Sequence, residues 1–223
     1  MALDASRLDP IFKAYDVRGT VPDQLDAEIV EAVGAAFAAF AKAENGGALE
    51  RILVARDMRP TGVEFAAAFA RGVNGQGVDV VDLGLASTDL IYYAAGKLDA
   101  PGAMFTASHN PAQYNGIKLC LSGARPVGED SGLAQIKADA IAGLPAAATT
   151  GSVTTQDALA DFAAHVHSFV DVAALAPLKI VADTANGMGG LVVPRVFEGL
   201  PFSLTVLFGE LDGSFPNLSL IHI

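Results

Sequence analysis

Apolar positions along the chain follow two rhythms that take turns. Between residues 26 and 42, Ile29, Val30, Val33, Ala36, Phe37 and Phe40 recur at helical spacing, which predicts a helix with one core-facing stripe. Asn45-Gly46-Gly47 supplies its stop. The run 51–55 is short and almost wholly apolar, as a buried strand requires. Thr61 and Glu64 form a capping-box pattern ahead of a second helix striped by Phe65, Phe69 and Val73. Residues 78–83 predict another strand, and Ser87-Thr88 stands where a third helix carrying Leu90, Ile91 and Ala94 would begin. Apolar runs from Ala103 and over 117–121 predict two more short strands, followed by an amphipathic helix over 129–142 with Leu133, Ile136 and Ile141. Alternation with near-continuous apolar strands indicates an α/β fold, its sheet mixed but mostly parallel and sandwiched between helices.

The pattern changes at residue 143. Residues 143–155 turn small and polar, so a linker is expected there between a first unit over 8–142 and a second over 156–223. The second unit is expected to be α/β of similar type and incomplete. Residues 158–175 predict a helix with Leu159, Phe162, Val166, Phe169 and Val170 on one face. The strand 178–183 runs through Asn186-Gly187-Met188-Gly189-Gly190 into a helix around Val193, Val196 and Phe197, and 204–208 is the next strand. A lone glycine-rich strand-to-helix turn is weak evidence for phosphate binding.

Composition narrows the function classes. The 223 residues are 52% hydrophobic and 17% charged, which describes a compact folded chain. No apolar run approaches a membrane span; the alanine-rich stretch 32–43 contains Gly34 and ends in charged residues, so it is a packed helix. The N-terminus shows no basic region followed by an apolar core, so no signal peptide is expected and the cytoplasm is the expected compartment. Net charge is −11, from 14 basic and 25 acidic residues, and no basic stripe offsets it. Nucleic-acid and anionic-membrane partners are therefore not expected, whereas a phosphorylated substrate is compatible with a local cationic cluster. The single cysteine, Cys120, lies in an apolar run and is expected as a buried core thiol. His165 and His167 fall on different helical faces and are not expected to share a metal.

Two segments carry candidate chemistry. Met104-Phe105-Thr106-Ala107-Ser108-His109-Asn110-Pro111 is followed by Tyr114-Asn115-Gly116-Ile117-Lys118. Pro111 cannot donate to a ladder and biases Asn110 away from helix, so 108–110 form a loop at a strand's carboxyl end. Such a loop is either a plain polar connection, a Ser/His/Asn hydrolase site, or a site of phosphoryl transfer through Ser108. The hydrolase option is weak, because adjacent side chains diverge and the Gly-x-Ser-x-Gly elbow is missing. The second segment, Ile11-Phe12-Lys13-Ala14-Tyr15-Asp16-Val17-Arg18-Gly19-Thr20, is extended and ends in a glycine turn. By pattern alone Tyr15 is a packing residue and Arg18 a solvated charge. Arg56-Asp57-Met58-Arg59 makes a polar loop in which Asp57 and Arg59 are expected to be solvated and salt-bridged.

Both segments closely resemble the α-D-phosphohexomutases (phosphomannomutase/phosphoglucomutase), through Thr-Ala-Ser-His-Asn-Pro and Phe-Lys-Ala-Tyr-Asp-Val-Arg-Gly. Asp183-x-x-Asn186-Gly187-x-Gly189-Gly190 and the segment 210–217 match the same family. The resemblance implies that the intact protein is an intramolecular phosphotransferase, an isomerase moving phosphate between C1 and C6 of a mannose or glucose phosphate. It implies Ser108 as the phosphoserine, with Arg18 and Lys118 stabilising charge and His109 or Lys118 handling the hydroxyl proton. Tyr15, Arg18, Asn110 and Lys118 would line the substrate cleft, and Arg59 would at most help hold the serine loop. A hexose 1,6-bisphosphate is the implied intermediate and activator, and Mg2+ the implied cofactor, touching Ser108 through its phosphate. The carboxylate segment Asp-x-Asp-x-Asp-Arg that holds magnesium in the family does not occur here. The family pattern also stops at residues 218–223. The chain is therefore expected to be an N-terminal piece, inactive by itself, and a monomer. The alternative is a non-catalytic sugar-phosphate-binding protein.

Overall fold

The computed structural model describes residues 3–217, so the departure from the family pattern at 218–223 lies outside the described residues. In chain order the elements are α1 (Ala5–Leu8), β1 (Val17–Thr20), α2 (Ala27–Glu44), β2 (Arg51–Arg56), α3 (Gly62–Gly75), β3 (Asp79–Leu85), α4 (Thr88–Lys97), β4 (Gly102–Phe105) and β5 (Tyr114–Leu121). They continue with β6 (Arg125–Pro126), α5 (Leu133–Ala142), β7 (Val153–Thr155), α6 (Leu159–His167), β8 (Leu178–Asp183), α7 (Gly189–Phe197) and β9 (Phe202–Leu207).

The first sheet runs β1-β5-β4-β2-β3-β7, with β6 paired to β5. Strands β4, β2, β3 and β7 are parallel, and β5 is antiparallel to both β4 and β1. This is the mixed, mostly parallel α/β architecture expected from the alternation. Successive strand residues serve opposite faces. Ile52, Val54, Ala103, Phe105 and Ile117 face the layer of α2, α3 and α5. Leu53, Ala55 and Met104 face α4 and α6. Helices α2 and α3 approach so closely that a Cβ at Gly34 would lie 2.4 Å from the Phe69 carbonyl oxygen, and one at Gly72 only 2.0 Å from that of Glu31. That approach seats the ring of Phe69 against Phe37 and, edge-on at 5.6 Å, against Phe105 of β4.

Several local expectations change once the chain folds. Residues 153–155, expected inside a linker, instead pair with β3 as a parallel edge strand. Small polar composition concealed a β-branched Val-Thr-Thr, and Asp79 fixes its entry by accepting from both the amide and the hydroxyl of Ser152. Thr61 makes no cap bond; its Oγ1 accepts instead from the Asn115 side chain, 2.8 Å away. Ser87 precedes α4 in extended conformation but its hydroxyl makes no cap bond either. The expected helix 129–142 breaks at Gly132 (φ 132°), where the Phe40 ring occupies the space of a Cβ. Helix α6 stops at His167, short of the expected 175, where the Ser168 hydroxyl donates to the His165 carbonyl.

Beyond α6 the chain forms a smaller βαβ unit, with β8 and β9 parallel and α7 between them. Phe162 of α6 and Val192 and Val196 of α7 pack on the α4 side of the first sheet. No helix among the described residues is long and apolar enough to cross a membrane.

Candidate active site

The site begins where β4 ends. After Phe105 the Thr106 amide still donates to Gly116 of β5 (3.1 Å), and the Thr106 hydroxyl accepts from the Ser108 amide (2.9 Å). The Asn110 amide then closes a turn on the Ala107 carbonyl at 2.9 Å. Turning that tightly puts Ser108 at φ 53°, a conformation that a residue with a Cβ adopts only under constraint. Ser108 and His109 are thereby exposed at the tip, with Ser108 Oγ 3.3 Å from His109 Nδ1. Adjacency had argued against such a pairing; the left-handed backbone at Ser108 brings the two side chains together.

Positive charge arrives from the neighbouring strands. Gly116 lets β1 and β5 close, since a Cβ there would lie 2.5 Å from the Val17 carbonyl oxygen. In this register Val17 faces Ile117, so Arg18 and Lys118 lie on the face opposite those core residues. Asp16 joins them: its Oδ2 accepts from Arg18 Nη2 at 2.5 Å and from Lys118 Nζ at 3.3 Å. Arg18 Nη1 donates to the Asn110 side-chain oxygen at 3.1 Å, which links the cationic pair to the serine loop. One carboxylate shared between two cations leaves a net positive charge that meets the serine loop at Asn110. The Nε of Arg18 is buried with no partner among the described residues. Tyr15, expected with this group, is 79% exposed at the adjacent turn.

Arg59 departs furthest from expectation. It is not solvated but 1% exposed, the bulkiest of the fully buried side chains. Its Nη1 donates to the carbonyls of Pro111 (2.9 Å) and Tyr114 (2.8 Å), and its Nη2 to those of Ser108 (3.0 Å) and Asn110 (2.7 Å). Asp57, also buried, accepts from Arg59 Nε at 3.3 Å and from its amide at 3.0 Å. Burial pulls the Arg59 pKa down, opposed by the Asp57 carboxylate. A guanidinium stays charged under such a load because its intrinsic pKa is so high. Arg59 thus ties down the serine loop by its backbone and leaves its side chains free. No local pattern around Arg59 signals this; the one pointer was the family resemblance, which implied that Arg59 would at most help hold the serine loop.

Cys120 is buried on β5, and burial pushes its thiol up to about 11, as suits a core residue. His165 stacks between Tyr93 and Phe169, while His167 Nε2 meets the Val196 carbonyl, so the two point to separate neighbours. Among the described residues no group of three or more His, Cys, Asp or Glu comes together to hold a metal ion. Asp16, linked to the serine loop through Arg18, is engaged by Arg18 and Lys118, and Asp57 is engaged by Arg59. These residues do not form a magnesium site.

Comparison with known proteins gives a consistent picture. Residues 9–143 match the family described as phosphoglucomutase/phosphomannomutase, alpha/beta/alpha domain I. A protein of Xanthomonas campestris pv. campestris named as phosphohexose mutases is 39% identical over 212 residues, 93% of this chain and 46% of that protein. A phosphoglucomutase of Neisseria meningitidis serogroup B is 38% identical, over 96% of this chain and 45% of its own length. A crystal structure of a phosphoglucomutase/phosphomannomutase family protein from Burkholderia thailandensis superposes with a TM-score of 0.82 at 33% identity, covering 97% of this chain and 46% of that one. The chain spans about half the length of the curated relatives it matches. With its first α/β unit matched by the domain I model and its whole described fold matched by these relatives, the chain belongs to the phosphoglucomutase/phosphomannomutase family.

Proposed function

We propose that the protein of which this chain is part is a phosphohexomutase working through a phosphorylated Ser108. The observation that carries this is the exposed Ser108 hydroxyl, held at φ 53° on a braced loop beside Arg18 and Lys118. The names of the relatives, phosphoglucomutase and phosphohexose mutases, and the family's description as phosphoglucomutase/phosphomannomutase support a glucose or mannose phosphate as substrate.

In the proposed cycle a sugar hydroxyl attacks the phosphorus on Ser108. The Oγ–P bond breaks and the new sugar O–P bond forms; the sugar hydroxyl gives its proton to a base, and the departing Ser108 Oγ takes up a proton to become the hydroxyl again. The sugar, now a 1,6-bisphosphate, turns over and returns its other phosphate to Ser108 by the reverse exchange. Transfer of this kind is mostly positioning and charge neutralisation, which suits the residues at hand. The forked Arg18 and the ammonium of Lys118 serve the equatorial oxygens of the transferring group. The 3.3 Å between His109 Nδ1 and Ser108 Oγ favours His109 over Lys118 for exchanging a proton there, with Lys118 serving charge beside Asp16. Asn110 holds Arg18 to the loop, and Tyr15 is available to the sugar. Magnesium, where the family employs it, neutralises phosphate charge; the described residues supply no ligand set for it, so none of these roles passes through it.

The test is intact mass with peptide mapping after incubation with a hexose 1,6-bisphosphate and magnesium, on this chain and on the longest natural form of the protein. Phosphate on Ser108, removed by excess hexose monophosphate and absent in Ser108→Ala, is the expected result. A longest form that never acquires phosphate on Ser108 overturns the phosphoserine role. The sugar-phosphate-binding alternative would then be judged by binding of glucose 6-phosphate without turnover.

A further inference from the structure

The bracing of the serine loop does not end at Arg59. Its guanidinium donates into the loop, and the guanidinium carbon lies over the face of the Phe215 ring, 5.3 Å from the ring centroid. Phe215 comes from the far side of β9, in the smaller unit, and is 9% exposed in a region where most residues face solvent. It sits at φ 53°, a backbone conformation that bulky side chains avoid, so its placement is imposed by the turn around it. Gly213 in the same turn lies so near that a Cβ would stand 3.0 Å from the Arg59 Cα and 3.2 Å from the Met58 carbonyl oxygen.

This turn is itself tied to the glycine-rich loop after β8. Asp212 accepts at Oδ1 from the amide and hydroxyl of Ser214, bonds that hold its pKa below the ordinary carboxylate range. The Asp212 amide donates to the Asn186 carbonyl at 2.9 Å. Asn186, buried, donates from its side chain to the Glu210 carbonyl, and its side-chain oxygen accepts from the Asn217 side-chain amide. A continuous path of contacts thus runs from Asn186 through the 212–215 turn and Phe215 to Arg59, and from Arg59 to the Ser108 carbonyl.

We propose that Phe215 is a positioning residue: by covering Arg59 it holds the serine loop in its braced form, so that the smaller unit governs the order of the loop that carries Ser108. An aromatic face over a guanidinium attracts it directly and keeps water from competing for its donors. Uncovered, Arg59 shares its hydrogen bonds with water, and the carbonyls of Ser108, Asn110, Pro111 and Tyr114 lose their common anchor. The effect on loop order stands alone; an effect on phosphoryl transfer rests on the function proposed above.

The deciding measurement is amide hydrogen exchange of residues 106–114 in Phe215→Ala, Phe215→Leu and Phe215→Tyr. Phe197→Ala, a loss of an aromatic elsewhere in the smaller unit, serves as the control. Phe215→Ala should speed exchange in this loop about tenfold, the size of one cation–π contact, while amides of β2 and α3 keep wild-type rates. Phe215→Tyr, which keeps the ring, should restore protection, and Phe197→Ala should leave the loop unchanged. If Phe215→Ala fails to fold, Phe215→Leu decides, since it keeps apolar volume without a ring; at least threefold faster loop exchange is then expected. Wild-type loop exchange in the folded Ala or Leu variant, or equal acceleration by Phe197→Ala, overturns the proposal. Phosphate uptake on Ser108 is followed in the same samples. A longest natural form of the wild-type protein that takes up none sinks the phosphoserine role and leaves the exchange result to be judged independently.

Discussion

The two α/β units are built from the same kinds of element but are stabilised very differently. In the first, β2 and β4 are enclosed on both faces, and Phe37, Phe69 and Phe105 form a continuous aromatic contact through the layer. In the second, α7 has no buried residue, and β8 and β9 alternate between half-buried and exposed positions. Val181 there is 66% exposed although it lies in the middle of a strand. The difference locates the site's rigidity. The serine loop grows from the end of an enclosed strand, so the tip is strained while its base is fully packed. The smaller unit contributes little core and acts on the site through a single buried turn.

The largest expected effect contrasts two phenylalanines. Phe69→Ala empties space inside the enclosed layer and should destabilise the fold by about 4 kcal/mol, whereas Phe202→Ala, on half-exposed β9, should cost only about 1 kcal/mol. Denaturant unfolding of both variants checks this, and equal losses would erase the distinction between the units. Arg59→Met comes next. It strands the buried Asp57 carboxylate and removes the donors from four loop carbonyls, for a loss of about 3 kcal/mol and abolished phosphate uptake on Ser108. Adding Asp57→Asn should recover part of the stability but none of the uptake.

A smaller effect should appear with pH. Burial pushes the Cys120 thiol up to about 11 in the folded chain, against about 8.5 for an unfolded cysteine. Its raised value means that the unfolded chain loses its proton first. The associated stability is complete below about pH 8.5 and declines as pH rises towards 11, by up to about 1.4 kcal/mol for each unit. Cys120→Ala should remove this component of alkaline destabilisation, measured by urea unfolding at a series of pH values, and an unchanged slope would count against the buried neutral thiol. Smallest of all, Val181→Ser on the open face of the smaller sheet should change stability by less than about 0.5 kcal/mol. A larger loss would mean that this face is covered in solution.

What the sequence determined by itself was the order and kind of the main elements, because alternating periods of apolar residues follow directly from helix and strand geometry. The stripe of α2, the enclosed strand β2 and the buried Cys120 were all legible in this way. Ser108, Arg18 and Lys118 were singled out through motifs that survive as contiguous strings, and the fold brings Arg18 and Lys118 onto one carboxylate, with Arg18 bonded to the serine loop. Only the tertiary structure decided where polar residues went. Arg59 and Asp57 looked solvated because a charged loop has no periodic signature; Arg59 is buried because four carbonyls from a segment some fifty positions later converge on it. Asp16 became the shared partner of Arg18 and Lys118 only when β1 and β5 paired in register. The edge strand β7 was hidden for the same reason, since Asp79 holds its start from far earlier in the chain. Burial of apolar groups is written locally because each such residue gains by leaving water wherever it goes. Burial of a charge is not, because it is tolerated only where distant partners meet it.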